Sequence, residues 1–417
     1  MSENVQKTLR DSAALRWLAL ILLAGAMFCS YIFMDILSPI KDLMWDTKGW
    51  DSTAFGTMQG SETFLNVFVF FLIFAGIILD KMGVRFTAIL SGAVMLVGAT
   101  INWYALTDMF AGSNLEVWFN EHLNYIPGFD ELGVSPFYKG MPASAKFSAI
   151  GFMIFGCGVE MAGITVSRGI VKWFKGREMA LAMGSEMALA RLGVATCMIF
   201  SPMFARLGGE VSVSRSVAFG VVLLMIALIM FIVYAFMDKK LDSKTGEAEE
   251  KDDPFKLSDL GKILTDSGFW LVALLCVLYY SAIFPFQKYA VNMLQCNLVF
   301  HQVDPSSIWA SNTITIIQSV IMLVVAACAF ASNFSKNKVA KYGLMGVAIV
   351  ALVVFCYMGY MRQSAETVFA VFPLLAVGIT PILGNYVDHK GKAATMLVLG
   401  SLLLIACHLT FAFVLPA

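Results

Sequence analysis

About eleven apolar segments, each long enough to cross a lipid bilayer, follow one another along this chain of 417 residues. Only 14% of the residues are charged and 59% are hydrophobic, whereas a soluble domain carries roughly 25% charged residues. The sequence therefore predicts an all-α polytopic membrane protein, a helical bundle whose first partner is the lipid bilayer. The predicted segments are 16–38, 54–79, 86–107, 147–171, 178–205, 214–237, 268–294, 308–332, 342–361, 365–386 and 394–415.

Basic residues are concentrated in alternate loops between these segments. Lys81 and Arg85 lie in the second loop and Lys172 in the fourth, while the third loop, 108–146, is rich in acidic residues. Cytoplasmic loops carry the excess of lysine and arginine, so the pattern predicts a cytoplasmic N-terminus. The formal net charge of +0 gives no electrostatic basis for binding nucleic acid.

A charged stretch at 238–267 separates two groups of segments. Its many acidic and basic residues cannot bury apolar surface, which is typical of a solvated linker. We therefore expect an N-terminal six-helix half at 1–237, a cytoplasmic linker at 238–267 and a C-terminal half at 268–417.

A spacing of Gly-x3-Asp-x2-Gly occurs twice, each time between two apolar segments. The first glycine permits close approach to a neighbouring helix, the aspartate can accept hydrogen bonds from a helix start, and the last glycine permits a tight turn. Two copies favour two related, pseudo-symmetric halves with these loops as conformational hinges. The loop residues are Gly76, Asp80, Gly83 and Arg85 in the first copy, and Gly384, Asp388, Gly391 and Lys392 in the second.

These loops resemble the signature loop of the major facilitator superfamily, Gly-x3-Asp-basic-x-Gly-x-basic. The first copy matches fully, and the second has His389 at a basic position. Two further blocks, 156–193 and 279–286, are similar to the branch of dipeptide uniporters found in animal lysosomes and in bacteria. The resemblance implies alternating access to a site between the two halves, with small peptides as substrates.

The chain also departs from the twelve-helix pattern of that superfamily. The second loop follows the tenth segment instead of the eighth, so a helix pair near 308–361 resembles an insertion. The segment after the second loop would correspond to the ninth helix of the superfamily, so the last three helices are expected to be missing.

Three ionisable residues are predicted near the bilayer midplane, where charges are rare and usually functional. Glu160 lies 12 residues before Lys172 at the cytoplasmic end of its segment, and Arg191 lies 13 residues from the start of the next one, which places both about 18–20 Å from the inner surface. The pair is either a buried salt bridge or a split site for an ammonium and a carboxylate group. The resemblance supports the second interpretation. Glu186 would neutralise Arg191 in the empty site or carry a coupled proton.

Other polar residues of the predicted helices are weaker candidates. Tyr279 and Tyr280 lie at mid-depth in the seventh segment and either contact substrate or pack with one satisfied hydroxyl. Lys288, further out, contacts substrate or extends to the membrane surface. Asp35 and Glu62 are interpreted as solvated residues at the rim.

The leading hypothesis is a carrier of dipeptides or similar zwitterions. A proton-coupled symporter of an organic anion and a non-transporting sensor remain as alternatives. The four histidines form no cluster, so no metal site or cofactor is predicted, and no catalytic motif indicates an enzyme. An accessory membrane subunit stays open as a partner. Without an obvious lysosomal sorting motif, a bacterial cytoplasmic membrane is favoured over a lysosomal one.

Overall fold

The computed structural model describes residues 12–413 except 177, 246–256, 299, 302, 305, 336 and 391. These residues form helices, turns and connecting loops, with no strand among them. They divide into two compact units, Met1–Asp252 and Asp253–Ala417.

The first unit is built from five long helices and several short ones. It contains α1 Ala13–Met34, α2 Lys41–Lys48, α3 Ser52–Gly60, α4 Phe64–Phe68, α5 Phe71–Ala105, α6 Asn114–His122, α7 Ala143–Phe174, α8 Met179–Ala205 and α9 Val213–Thr245, with 3-10 turns at Ser38–Ile40 and Ser61–Thr63. We call the end of this unit where α1 begins the proximal end, and the end where α1 finishes the distal end.

The second unit contains α10 Leu257–Thr265, α11 Ser267–Asn297, α12 Asn312–Phe334, α13 Lys338–Arg362, α14 Ala365–Lys390 and α15 Ala393–Phe413. The ring of Phe286 joins three of these helices, because it lies 6.2 Å from the ring of Phe369, 6.0 Å from His408 and 5.2 Å from Phe411. His408 Nε2 is also 3.2 Å from the carbonyl oxygen of Ala282. These contacts hold α15 and α14 against α11.

The chain reverses direction inside α5, at Gly83. Before this point the chain runs parallel to α7, since Ser61 Oγ donates to the carbonyl of Ala149 at 3.0 Å and Asp80 pairs with Arg168. After it the chain runs antiparallel, since α5 passes Gly158 at Met95 and reaches Gly151 at Asn102. Gly83 has φ 77° and ψ 169°, a conformation that a side chain resists. The predicted tight turn is therefore present.

The predicted continuous helix 54–79 is interrupted, and that expectation was wrong. The 3-10 turn Ser61–Thr63 separates α3 from α4, and a second break follows at Val69–Phe70, where Phe70 has φ 55°. At the first break, the backbone of Glu62 lies directly against Gly156 of α7. The close contact between the two backbones accompanies the change in helical geometry.

Glycines let α7 touch its neighbours through the backbone. A Cβ atom added to Gly151 would lie 2.6 Å from the carbonyl oxygen of Gly98, and one added to Gly158 would lie 2.6 Å from Met95 Cγ. A Cβ atom on Gly156 would overlap the carbonyl oxygen of Glu62. Small residues at helix contacts are the usual way membrane helices pack closely.

Nine helices within the described residues are long and apolar enough to cross a membrane, so the predicted number of about eleven is not confirmed. The second and third predicted segments both overlap the range Phe71–Ala105 and count once in that number, although the chain reverses at Gly83 inside it. The described apolar part of the tenth segment is only Ala365–Thr380. The predicted linker also differs: α9 continues to Thr245, and α10 is helical. Residues 246–256 of the linker lie outside the described residues.

We predict that Gly156→Ala lowers the thermal unfolding temperature of the purified protein by several degrees. The added methyl overlaps the Glu62 carbonyl, and overpacking of this kind costs about 1–3 kcal/mol. Gly163→Ala on the same helix is the matched control, since an added Cβ atom there meets nothing within 4 Å. It should be neutral or slightly stabilising. Equal unfolding temperatures for the two variants would contradict the packing described for α7.

Candidate functional site

Glu160 and Arg191 lie at the same depth in the first unit. Ser30 Oγ of α1 is 3.3 Å from Met95 Sδ, and Met95 contacts Gly158, so Gly158 is level with Ser30. A Cβ atom on Gly193 would lie 2.6 Å from the carbonyl oxygen of Phe28, at the same level of α1. Glu160 is two residues proximal to Gly158 and Arg191 is two residues proximal to Gly193, about 3 Å in each case. Both therefore lie near the middle of their helices.

These two charges do not neutralise each other. Glu160 and Arg191 are both half-buried. Within the described residues, no ion pair or hydrogen bond joins either side chain to a partner. The salt bridge considered from the sequence is absent from this part of the chain. Two opposite charges at one depth, each without a protein partner, leave the arrangement suited to a ligand that carries both charges.

Glu186 lies five residues proximal to Arg191 on α8, about 7.5 Å along the helix. It is buried, and its carboxylate has no hydrogen bond or ion pair with the residues that the structure describes. The expected neutralisation of Arg191 by Glu186 is therefore not seen.

Asp35 and Glu62 are buried, at 1% and 8% exposure, so their interpretation as solvated rim residues was wrong. Asp35 follows directly after α1 and packs inside the unit, whereas Glu62 lies in the 3-10 turn against α7. Hydropathy alone placed them near helix ends, but the distal part of the unit also contains α2, α3 and the 108–142 loop.

The candidates of the second unit lie on α11. Tyr279 and Tyr280 are exposed at 41% and 48%, and the ring of Tyr280 stacks on Phe284 at 5.1 Å. Neither hydroxyl has a hydrogen bond within the described residues. Lys288 is half-buried and interacts with other groups of the protein. Any contribution of these residues to the site of Glu160 and Arg191 stays a prediction.

A buried carboxylate, Asp238 of α9, organises the proximal end of the first unit. It is fully buried, its Oδ2 accepts from Lys172 Nζ at 2.7 Å, and its Oδ1 accepts from Trp173 Nε1 at 3.0 Å. Arg85 Nε lies 3.9 Å from Oδ2, and Tyr234 donates to Oδ1 at 3.5 Å. This cluster connects α9 with α7 and with the first signature loop.

The first signature loop makes a second contact with α7. Asp80 pairs with the guanidinium of Arg168, which replaces the expected bonds from amides at a helix start. Gly76 has no atom of the described structure within 4 Å of an added Cβ. A close helix approach at this glycine is therefore not seen.

Less of the second loop is described. Gly384 and Asp388 lie within α14, and Lys392 is exposed just before α15. Gly391 lies outside the described residues. The action of either loop as a hinge stays a prediction.

Sequence reasoning missed Asp238, which it assigned to the linker, and did not single out Arg168 or Asn66. One signal for Asp238 was present, because it is the only acidic residue of 213–240 and comes just after an apolar run. Its distance in sequence from the basic loops concealed the pairing with Lys172 and Arg85.

The family comparison agrees with this architecture. The sequence profile of the Major Facilitator Superfamily matches residues 23–365. The chain therefore belongs to this superfamily of multi-pass membrane transporters.

The curated relatives share only a low sequence identity with this chain. The lysosomal dipeptide transporter MFSD1 of Pongo abelii is 24% identical over 286 residues, a match that covers 65% of this chain and 52% of the relative. The protein of the same name from Gallus gallus is 30% identical over 151 residues, 33% of this chain and 32% of the relative. The chain thus spans about half the length of the curated relatives it matches, at most.

Two solved structures of transporters can be aligned with most of this chain. A bacterial homologue of the human drug peptide transporters PepT1 and PepT2 aligns with a TM-score of 0.45 and 13% identity, covering 94% of this chain and 99% of that structure. The proton:xylose symporter XylE aligns with a TM-score of 0.43 and 11% identity, covering 91% and 90%.

We predict that Asp238→Asn destabilises the protein far more than Asp80→Asn. The first change leaves Lys172 facing a neutral group in a buried cluster, and breaking a buried pair costs about 3–5 kcal/mol. The second removes the partner of Arg168 from a pair whose side chains are 31% and 37% exposed, which typically costs about 0–1 kcal/mol. Thermal unfolding in detergent measures both variants. A larger loss for Asp80→Asn would show that the loop pair, and not the buried cluster, holds the proximal end together.

Proposed function

We propose that this protein carries dipeptides or similar small zwitterions across a membrane by alternating access between its two halves. The observation that carries the proposal is the pair Glu160 and Arg191, which lie at one depth without a protein partner among the described residues. Charges near the bilayer midplane are expensive, so they are usually retained for a ligand.

The chemistry of the pair fits a ligand with an amino end and a carboxyl end. The planar guanidinium of Arg191 can bind a carboxylate through two parallel hydrogen bonds. Glu160 can accept hydrogen bonds from an ammonium group. A dipeptide carries these two groups on one short backbone, and the curated relatives named above are dipeptide transporters.

The proximal contacts support motion of the first half as one body. Asp238 connects α9 to α7 and lies near Arg85, and Asp80 connects the first signature loop to α7. At this end α7 and α9 are therefore joined to the parts of α5 before and after Gly83. Gly83 lets the loop turn between them. In the proposal this end faces the cytoplasm, because its loops carry Lys81, Arg85 and Lys172, and the membrane is a bacterial cytoplasmic one.

Proton-coupled symport of an organic anion is the second candidate, and the buried Glu186 favours it. A carboxylate in an apolar helix without a partner in the described part of the chain is a natural place for a transported proton. In this alternative, Arg191 binds the anion and Glu186 takes up the proton.

We predict that Arg191→Ala and Glu160→Gln each reduce dipeptide binding by at least tenfold, because a hydrogen bond to a charged group contributes about 1.5–3 kcal/mol. Stabilisation of the purified protein against heat by a dipeptide panel measures binding, and uptake into liposomes measures transport. Arg206→Ala and Glu210→Gln are matched controls, since both residues are exposed at the distal end of α8. An unchanged dipeptide response in both site variants would refute the site assignment.

We predict that dipeptide uptake into liposomes is the same with and without a pH gradient, and that Glu186→Gln leaves it intact. Acceleration by an inward proton gradient, together with loss of that acceleration in Glu186→Gln, would favour the symporter instead. Wild-type protein that binds dipeptides but moves none under any gradient would indicate a sensor with the carrier fold.

A further inference from the structure

The segment that runs through α3 and α4 into α5 is interrupted beside the proposed site. It changes from α-helical to 3-10 geometry at Ser61–Thr63 and is interrupted again at Val69–Phe70, where Phe70 has φ 55°. Between these breaks lies the short helix α4, Phe64–Phe68, whose one polar residue is Asn66. Irregular backbone at membrane depth is retained where it is buried in protein or lines a water-filled cavity. In transporters, broken helices commonly form the substrate site.

The register between this segment and α7 places Asn66 next to Glu160. Glu62 packs directly against Gly156, and the two segments run in the same direction. Asn66 is four residues beyond Glu62, and Glu160 is four residues beyond Gly156. The backbone between Glu62 and Asn66 is right-handed helical at Thr63 and Phe64, so each step advances about 6 Å toward the proximal end on one side of its segment. Axes of contacting helices are about 8–10 Å apart, so the two side chains reach the same space.

The carboxamide of Asn66 has no partner in the described structure. Both Nδ2 and Oδ1 are buried, and neither forms a hydrogen bond with a described residue. Burying a donor and an acceptor without partners is unfavourable, and native proteins rarely do so. The flanking side chains Phe64 and Phe68 offer no partner, since their rings pack on each other at 4.9 Å. A bound ligand would satisfy both atoms.

We propose that Asn66 recognises the first residue of the dipeptide held by Glu160 and Arg191, an inference that rests on the proposed function. Oδ1 accepts from the ammonium group beside Glu160, and Nδ2 donates to the neighbouring peptide carbonyl oxygen. These two groups of a dipeptide lie on adjacent carbons, which matches the donor and acceptor of one carboxamide. Glu160 and Arg191 bind only the charged ends of the ligand. Asn66, which bonds the peptide carbonyl, therefore distinguishes peptides from other zwitterions of the same length.

The test compares two ligands that differ only in the peptide bond. Glycylglycine and 5-aminopentanoate have the same end charges and the same number of backbone atoms, but 5-aminopentanoate lacks the carbonyl. Affinities from ligand-induced thermal shifts are measured for wild-type protein, Asn66→Leu and Asn66→Asp. We expect wild-type protein to prefer glycylglycine and both variants to lose about tenfold of that preference, since neither can donate to the carbonyl.

Asn102→Leu is the matched control. Asn102 is also a buried asparagine with no hydrogen bond from its carboxamide to the described residues, but it lies beside Gly151, about 13 Å distal to Glu160. This variant should keep the wild-type preference. If wild-type protein binds both ligands and Asn66→Leu and Asn66→Asp keep its preference, Asn66 does not read the peptide bond. If wild-type protein binds neither ligand nor any other dipeptide, the proposed function itself fails.

Discussion

Backbone contact between α7 and the chain on either side of Gly83 underlies the arrangement of the first unit. Gly151 and Gly158 bring α7 against α5, and Gly156 brings it against the 3-10 turn at Glu62. Because a glycine has no side chain, these contacts fix the axial register to within a fraction of a turn. The depth of Glu160, the position of Asn66 and the pairing of Asp80 with Arg168 all follow from that register.

Two groups of charged residues in the first unit have different physical roles. At the proximal end they are paired, and the buried carboxylate of Asp238 accepts hydrogen bonds from Lys172 and Trp173 while Arg85 lies nearby. At mid-depth, Glu160, Glu186 and Arg191 have no partner in the described part of the chain. Paired charges hold helices together, whereas charges buried without a partner lower the stability of the empty protein and can be compensated by a ligand, a proton or water. This difference connects the fold to the proposed carrier mechanism.

Much of the architecture was predictable because the bilayer imposes a simple rule on composition. Apolar segments of sufficient length located α1, α7, α8 and α11 to α15 to within a few residues. The matching depths of Glu160 and Arg191 were also predictable, since the rise per residue of a helix is constant. The breaks at Ser61–Thr63 and Val69–Phe70 were not, because no proline marks them and the first one accompanies a contact with Gly156, which is distant in the chain.

The sequence alone therefore determined the class of protein, most of the helical segments, the reversal at Gly83 and the depth of the central charges, all of which depend on local hydropathy, backbone freedom and helix rise. Only the tertiary structure decided which charges are paired. It buried Asp238, Asp35 and Glu62, left Glu160 and Arg191 without partners among the described residues, and buried the carboxamide of Asn66 without a hydrogen bond to a described residue. Pairing and burial depend on contacts between helices far apart in the chain, and these contacts cannot be predicted from the pattern of residues within one helix.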